Sequence, residues 1–214
     1  MKKLISISIY GDAPMYLQGA IENAKLRSSI YPDWDMIIYC ENKTDPTVIE
    51  QLQDLGCRVE KMGRNRVHSG MLWRFLPGWN PRNTYVIFRD SDSRFNPREA
   101  AAVEEWLSLG HGAHCMHDHP HHASLPLFGG MWGVRGGILQ GQCPFKKQFG
   151  QRVPRVGDMR LLQKHVLPII SKSLLRHSSV DATRWGECLP FPEHEPWDGF
   201  VGQQYNEHGV SISV

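Results

Sequence analysis

Apolar and small polar residues alternate through Leu4-Ile5-Ser6-Ile7-Ser8-Ile9, a period of two that predicts a strand. Leu17, Ala20, Ile21 and Ala24 then recur at i, i+3, i+4 and i+7. They predict an amphipathic helix opening at Gly11-Asp12-Ala13-Pro14, with Asp12 as its cap, and ending before Pro32. Met36 to Cys40 reads as a second, buried strand. Thr44-Asp45-Pro46 opens a second helix, with Val48, Ile49, Leu52 and Leu55 on one face and Gly56 as its stop. Cys57 to Met62 is a short third strand. The order β-α-β-α-β predicts parallel strands joined by crossover helices.

The pattern is irregular between Gly63 and Asn83, with one or two helical turns at Met71 to Phe75. Tyr85-Val86-Ile87-Phe88 then runs without a polar break, as in a strand buried on both faces. Asn96-Pro97-Arg98-Glu99 caps the next helix, which buries Val103, Trp106 and Leu107 and stops at Gly110. Asp158 starts a helix through Leu161, Leu162 and Val166, which Pro168 breaks or kinks. The last forty or so residues hold many prolines and tryptophans and read as a packed tail or lid. There is no internal repeat and no low-complexity linker. The chemistry begins where the buried strand stops, at Arg89-Asp90-Ser91-Asp92-Ser93-Arg94. Ligands of open α/β sheets bind at the carboxyl ends of strands, and residues i and i+2 of an extended segment share a side. Asp90 and Asp92 can therefore reach one metal ion, or one can hold metal and the other a ligand hydroxyl. Alternatively they cap nearby backbone amides. Two carboxylates plus substrate phosphates suit Mg2+ or Mn2+, which would neutralise a leaving diphosphate. Arg89 and Arg94 are either further phosphate donors or charge balance.

Composition narrows the class without choosing it. The 214 residues, 41% hydrophobic and 21% charged, suit a globular domain. A single domain over 1–214 is expected, with a first part at 1–95 that ends in the carboxylate pair and a second at 96–214. A net charge of +2 offers no field for nucleic acid but is compatible with an anionic small ligand. Met1-Lys2-Lys3 before the apolar run from Leu4 to Tyr10 has the outline of a secretion signal. That run contains serines and meets Gly11-Asp12, so it reads as the first strand. No stretch is long enough to span a membrane. Five scattered cysteines without a C-x-x-C pair suit free thiols in a reducing, cytoplasmic setting.

Other segments offer weaker signals. His111, His114, His117, His119, His121 and His122 crowd one stretch, and 117, 119 and 121 would share a strand face. No second cluster completes a zinc set, so a solvated or substrate-lining role is expected. Asp118 can contact a sugar hydroxyl or act as acid, base or nucleophile; otherwise it is a turn residue. Gly129-Gly130-Met131-Trp132-Gly133 lets backbone approach a ligand closely, with Trp132 as a flat wall, or is a tightly packed strand. It has neither dinucleotide nor P-loop spacing. Asp158 is a base, a holder of an acceptor hydroxyl, or an N-cap.

Taken in order, Ser6-Ile7-Ser8-Ile9-Tyr10-Gly11, Trp73-Arg74-Phe75, the Arg89–Arg94 segment, Arg98-Glu99, Asp118-His119-Pro120, Gly129–Gly133 and Phe200–Tyr205 resemble one family. It is the small GT-A-type glycosyltransferase domain of chlorella viruses, the N-terminal rhamnosyltransferase domain. The resemblance implies an α/β GT-A fold with a mixed central sheet, and hexosyl or deoxyhexosyl transfer from a nucleotide sugar, commonly a UDP-sugar, to a glycan acceptor. A Mn2+ or Mg2+ ion would sit at the D-x-D. Residue by residue, it implies Ser8, Tyr10 and Gly11 by the nucleoside, and Arg74 and Asp90 near ribose and diphosphate. Asp92 becomes the main metal ligand. Asp118 and Gly130-Met131-Trp132 face the transferred sugar, and Asp158 faces sugar or acceptor. A late histidine often joins the metal in such enzymes; His177 is the first candidate, before His194 and His208. In a viral setting the location would be host cytoplasm. Two other readings remain: a sugar nucleotidyltransferase, although Tyr10-Gly11-Asp12 lacks the expected Gly-rich basic loop, and a non-catalytic sugar-binding module.

Overall fold

The computed structural model describes residues 2–64 and 66–212; Met1 of the basic opening lies outside them. β1 (Lys3–Ile9), α1 (Pro14–Ile30), β2 (Asp35–Glu41), α2 (Pro46–Asp54) and β3 (Arg58–Met62) follow in the predicted order. Asp45 caps α2 by accepting from the Thr47 amide at 2.8 Å, and Gly56 leaves it at φ +79°. The α1 cap differs from expectation. Ala13 occupies that position without a side-chain bond, and the proline in the first turn needs no amide partner.

The irregular stretch contains a longer element than its pattern suggested, a 3-10 segment over Ser69–Trp79. β4 (Tyr85–Arg89) is buried along its whole length. α3 (Pro97–Leu109) is capped by Asn96, whose side chain accepts from the Glu99 amide at 2.9 Å, and ends on the left-handed Gly110. It buries Val103 and Trp106 fully and Leu107 in part. β5 (Ala113–His117), β6 (Met131–Arg135), α4 (Gly157–His165), α5 (Leu167–Ile170) and β7 (Leu174–Ser178) complete the order. Pro168 falls in the first turn of α5, so the break comes just before it, with Val166 capping α4 rather than extending it.

The seven strands lie in the order β3-β2-β1-β4-β6-β5-β7. β3, β2, β1 and β4 are mutually parallel, β6 runs antiparallel to both β4 and β5, and β7 is parallel to β5. The sheet is thus mixed. β6 fits against β4 because Gly133 lies opposite Ile87, where a Cβ would meet the Trp106 ring and Ile87 Cγ2 at 3.0 Å.

Two apolar layers cover the sheet. Ile5, Ile7, Ile9 and Ile87 pack with α1 and α3 on one face. Phe88, Trp132, Phe75 and Phe145 pack on the other. The alternation in β1 has a consequence here. Its serines face the 3-10 segment, and Ser6 Oγ donates to the Arg74 carbonyl at 2.6 Å. The winding reverses at β1, with β2 and β3 to one side and β4 to the other. The carboxyl ends of β1 and β4 therefore flank a topological switch point, where this class of sheet leaves a crevice.

Candidate active site

A cleft of about 370 Å3 opens at that switch point. Its lining includes Ser8 and Tyr10 from the end of β1, Arg74 from the 3-10 segment, Asp90 and Asp92 after β4, and Asp158 from the first turn of α4. These six were all singled out from the sequence.

Arg74 organises the centre. Only 5% exposed, it donates from Nη1 to Asp90 Oδ1 and from Nη2 to Asp158 Oδ2, the latter at 3.0 Å. Burial alone would lower its pKa, but Asp90 and Asp158 together raise it, so the guanidinium stays charged. Asp158 is held the other way: burial raises its pKa, Arg74 opposes this and Asp90 adds to it. Burial pushes the Tyr10 hydroxyl up to about 12, so it remains protonated. Among the described residues Ser8 Oγ, buried at the edge of the cleft, has no hydrogen-bond partner, a state that calls for a ligand or water.

The two aspartates of the D-x-D differ in environment. The Asp90 side chain is 45% exposed, while Asp92 is 5% exposed. Burial, then the charge of Asp90, pushes the Asp92 carboxyl up to about 6. Gln204 in the tail donates to Asp92 Oδ2 at 2.7 Å, and the Tyr205 amide donates to the Asp92 carbonyl at 2.8 Å. The loop itself is fixed from behind by Asn23 of α1, which donates to the carbonyls of Ser93 (2.8 Å) and Ser91 (3.4 Å) and accepts from the Phe95 amide at 3.0 Å. Gly19 permits this packing, since a Cβ there would stand 2.0 Å from the Ser91 carbonyl oxygen.

The glycine pair before β6 serves the carboxylates. A Cβ on Gly130 would lie 1.9 Å from Asp90 Oδ2, and one on Gly129 would lie 2.4 Å from Asp158 Oδ2. Close approach is required, as the sequence suggested, but to the protein's own acids. Met131 lines the cleft. Trp132 does not, and the expectation of a flat wall is overturned: it is fully buried against Phe88, ring centroids 4.3 Å apart.

Five further candidates are placed elsewhere. His177 is fully buried on β7, with Nδ1 against His114 Nε2 at 2.8 Å and Nε2 against Glu105 Oε2 at 2.5 Å. Both ring nitrogens are committed away from the cleft, so it is not the late metal ligand. His194 contacts Arg98 and His208 lies beside Glu207, and neither lines the cleft. Asp118 accepts from Arg98 at 2.8 and 2.9 Å, from Ser179 Oγ at 2.6 Å and from the Val201 amide at 2.9 Å. Its oxygens are saturated, and its effect is to tie the tail to the end of β5. Gly11, at φ +76°, donates to Glu41 Oε2 at 3.1 Å and borders a neighbouring hollow with Lys43 and Arg64.

The arginines of the carboxylate segment prove structural. Arg89 is 1% exposed and pairs with Glu99 at 3.2 Å, and Arg94 lies over the Tyr205 ring at 5.2 Å. In the histidine stretch only His114 and His117 lie on β5. Pro120 starts a 3-10 turn, so the alternation on one strand face does not form. His119, His121 and His122 line the cleft instead, with His119 stacked on Phe200 at 4.4 Å. Tyr16, Arg155 and Gln204 also line it. Sequence reasoning assigned them no role, because distant segments deliver them. Among the described residues no group of three or more His, Cys, Asp or Glu forms a metal cluster, and no helix is long and apolar enough to cross a membrane.

No protein-family profile matches the chain, and no curated protein is similar to it in sequence. Solved structures do resemble it. A mannosyltransferase from Pyrobaculum calidifontis, in complex with GDP-Man and Mn2+, superposes with a TM-score of 0.56 at 15% identity over 85% of this chain. The match takes in 55% of that protein, so the chain spans about half its length. A Bacillus anthracis protein assigned as a glucose-1-phosphate thymidylyltransferase, in complex with a sucrose, gives 0.54 at 12% identity over 84% of this chain and 87% of its own. The fold is of the GT-A glycosyltransferase and nucleotidyltransferase type.

Proposed function

We propose that the chain is a metal-dependent glycosyltransferase that moves a hexosyl or deoxyhexosyl group from a nucleoside diphosphate, UDP foremost, to a hydroxyl of a glycan acceptor. The observation that carries this reading is the convergence of both D-x-D carboxylates with Arg74 and Asp158 on one cleft at the switch point. The motif resemblance to the chlorella-virus domain supports it, and the whole of 1–214 acts as one domain in this reading.

The residues present fit a hard divalent cation. Asp92 is a buried carboxylate beside a second acid that burdens it with like charge, and a cation relieves both the burial and the repulsion. Asp90 and Asp92 would hold the ion, and phosphate oxygens and water would complete its shell. When bound it supplies Lewis-acid neutralisation of the departing diphosphate. The chain's own groups do the rest. Ser8 and Tyr10 receive the nucleoside, and Arg74 fixes Asp90. The Gly129-Gly130 backbone keeps Asp90 and Asp158 close enough to share that guanidinium. Asp158, raised in pKa by burial, takes the proton of the acceptor hydroxyl as its oxygen bonds to the sugar and the bond to diphosphate breaks. Asp118 is not part of this step; it holds the tail that carries Phe200, Gly202 and Gln204 along the cleft.

A second reading, sugar nucleotidyltransferase, is favoured by the coverage of the thymidylyltransferase-type structure. A thermal-shift series separates the two. UDP or GDP is expected to raise Tm in the presence of Mn2+ and not in chelator, and a nucleotide sugar is expected to release its nucleoside diphosphate. Pyrophosphate release from a nucleoside triphosphate and a sugar 1-phosphate would establish the second reading. Absence of any Mn2+-dependent nucleotide response would overturn the first.

Gln204 offers a finer check. Its bond orients Asp92, so Gln204→Ala is expected to weaken Mn2+-dependent nucleotide binding by about tenfold, as outer-shell losses do. Because Gln204 is exposed, stability should change by no more than about 1 kcal/mol. Calorimetric titration alongside urea denaturation reads both. Unchanged affinity would show that Asp92 needs no such support.

A further inference from the structure

Beside the cleft, Arg64, Arg66 and Arg152 border an open hollow of about 620 Å3 whose lining contains no carboxylate. Among the described residues none of the three makes an ion pair. Arg155, equally unpaired, lies on the same loop as Arg152 but lines the cleft. A chain whose net charge is only +2 thus gathers, along one edge of its candidate active site, four guanidinium groups that make no ion pair among the described residues.

The fold holds this arrangement at a cost. Val67, His68 and Val156 are non-glycine residues in the left-handed region, at φ 36°, 64° and 61°. Val67 and His68 turn the chain after Arg66, and Val156 turns it after Arg155 into α4. The two loops are joined where the Val153 amide donates to the Val67 carbonyl at 3.0 Å. His68 packs edge-on against Tyr10, ring centroids 6.5 Å apart, so the hollow adjoins the β1 side of the cleft. Backbone strain that persists across two touching loops beside a ligand cleft is the kind found at ligand clamps. Glu41 lies in the neighbouring hollow with Arg64 and Lys43, where it accepts from the Gly11 amide.

We propose that Arg64, Arg66 and Arg152 form an anion subsite separate from the D-x-D, which binds a phosphate group carried by the acceptor. Guanidinium groups match phosphate oxygens in fork geometry, and arginine is the residue suited to that recognition. Arg155 links the subsite to the cleft, so an acceptor anchored by its phosphate presents a hydroxyl towards Asp158. The binding of anion stands on the arginines alone; its assignment to the acceptor rests on the transferase reading above.

The test uses inorganic phosphate, titrated into metal-free protein and followed by the arginine side-chain N–H signals in NMR spectra. Arg64, Arg66 and Arg152 signals are expected to shift saturably. The Arg64→Gln/Arg66→Gln/Arg152→Gln variant is expected to lose roughly tenfold or more in phosphate affinity, and the corresponding lysine variant to retain part of it. The three side chains are exposed, so Tm should hold in both variants. Sedimentation with phosphatidylserine-containing against pure phosphatidylcholine vesicles identifies the source. Wild-type binding lost in the glutamine variant points to a lipid-borne phosphate, and phosphate shifts without vesicle binding point to a soluble phosphorylated acceptor. Phosphate affinity equal in wild type and glutamine variant, or no binding of either probe, overturns the subsite. UDP with Mn2+ is expected to raise Tm equally in wild type and variant. Its failure in both would remove the transferase reading while the phosphate result still judged the subsite.

Discussion

Asp92→Asn should make the protein more stable while removing its metal-dependent nucleotide binding. The carboxyl of Asp92 moves from an ordinary value of 3.8 to about 6 on folding, chiefly through burial and then through Asp90. The folded chain therefore holds a proton at this site more tightly than the unfolded chain does. Between about pH 4 and 6 the unfolded state releases that proton first, and stability falls as pH rises through the window. Above it the full deficit remains, of order 1–3 kcal/mol. Asparagine carries no charge to desolvate, and its carbonyl can still accept from Gln204. In chelator at pH 7 the variant should melt several degrees higher than wild type, at about 2–4 °C per kcal/mol for a chain of this size. At pH 4 the gain should vanish. Mn2+-dependent nucleotide affinity should fall by more than the ~10–100-fold that an outer-shell loss produces. Scanning calorimetry at the two pH values and isothermal titration supply the readouts. A variant with wild-type Tm at pH 7 would remove the burial argument, and retained affinity would remove Asp92 from the metal site. Gain of stability with loss of function is the usual signature of a functional charge kept in an unfavourable place.

Arg74→Met should have the opposite effect on stability. Methionine fills much of the same volume but leaves Asp158, itself 6% exposed, without its counter-charge. Breaking a buried pair by removing one partner costs about 3–5 kcal/mol. Asp90 is partly exposed and screened, so the loss should lie near the lower end, about 3 kcal/mol. Asp158, already raised in pKa by burial, loses the group that opposed the rise. The deficit is therefore complete above its folded pKa and shrinks as acidification neutralises it. Adding Asp158→Asn to Arg74→Met should restore at least ~1 kcal/mol, because the uncompensated charge is then gone. Urea denaturation of the two variants at pH 7 and pH 5 gives the cycle. Equal stability of the single and double variants would show that Arg74 acts through packing on Phe75, over which its guanidinium lies at 5.1 Å, and not through the acids.

Both predictions concern residues singled out before any tertiary contact was known, Arg74 through the motif resemblance and Asp92 for a local reason. β1, β2 and β4 are buried strands whose apolar runs end abruptly. The residues that follow such a run in a parallel sheet lie at its carboxyl edge, so Asp90 and Asp92 could be placed at a ligand crevice from their position in the pattern, whereas Ser8 and Tyr10 were singled out by the motif resemblance. α2 and α3 were legible for a similar reason. Asp45 and Asn96 bond backbone amides two and three residues ahead, an interaction contained in a few consecutive residues. The cap of α1 was misread because Asp12 has the right chemistry but the chain turns into the helix at Ala13.

The second half of the chain was less readable. β5, β6 and β7 are short, and their partners lie far away in sequence, so each is defined by pairing and not by its own periodicity. Trp132 illustrates the difficulty. An indole after a glycine pair is equally suited to a ligand and to a core, and only its place opposite Phe88 on β6 decided for the core. His177 and Asp118 were chemically plausible in the same way. His177 lost both nitrogens to His114 and Glu105, and Asp118 lost its oxygens to Arg98, Ser179 and Val201, all partners at long sequence distance.

By itself, then, the sequence determined the β-α-β-α-β half and the carboxylate pair at the end of the strand that follows it, because burial periodicity and short-range caps are written in neighbouring residues, while Arg74 stood out only through the motif resemblance. Tertiary structure alone decided that Arg74 bridges Asp90 to Asp158, that the tail seats Gln204 on Asp92, and that Gly129 and Gly130 clear space for acids. Each of those depends on segments tens of residues apart meeting across the mixed sheet, and no local pattern records such a meeting.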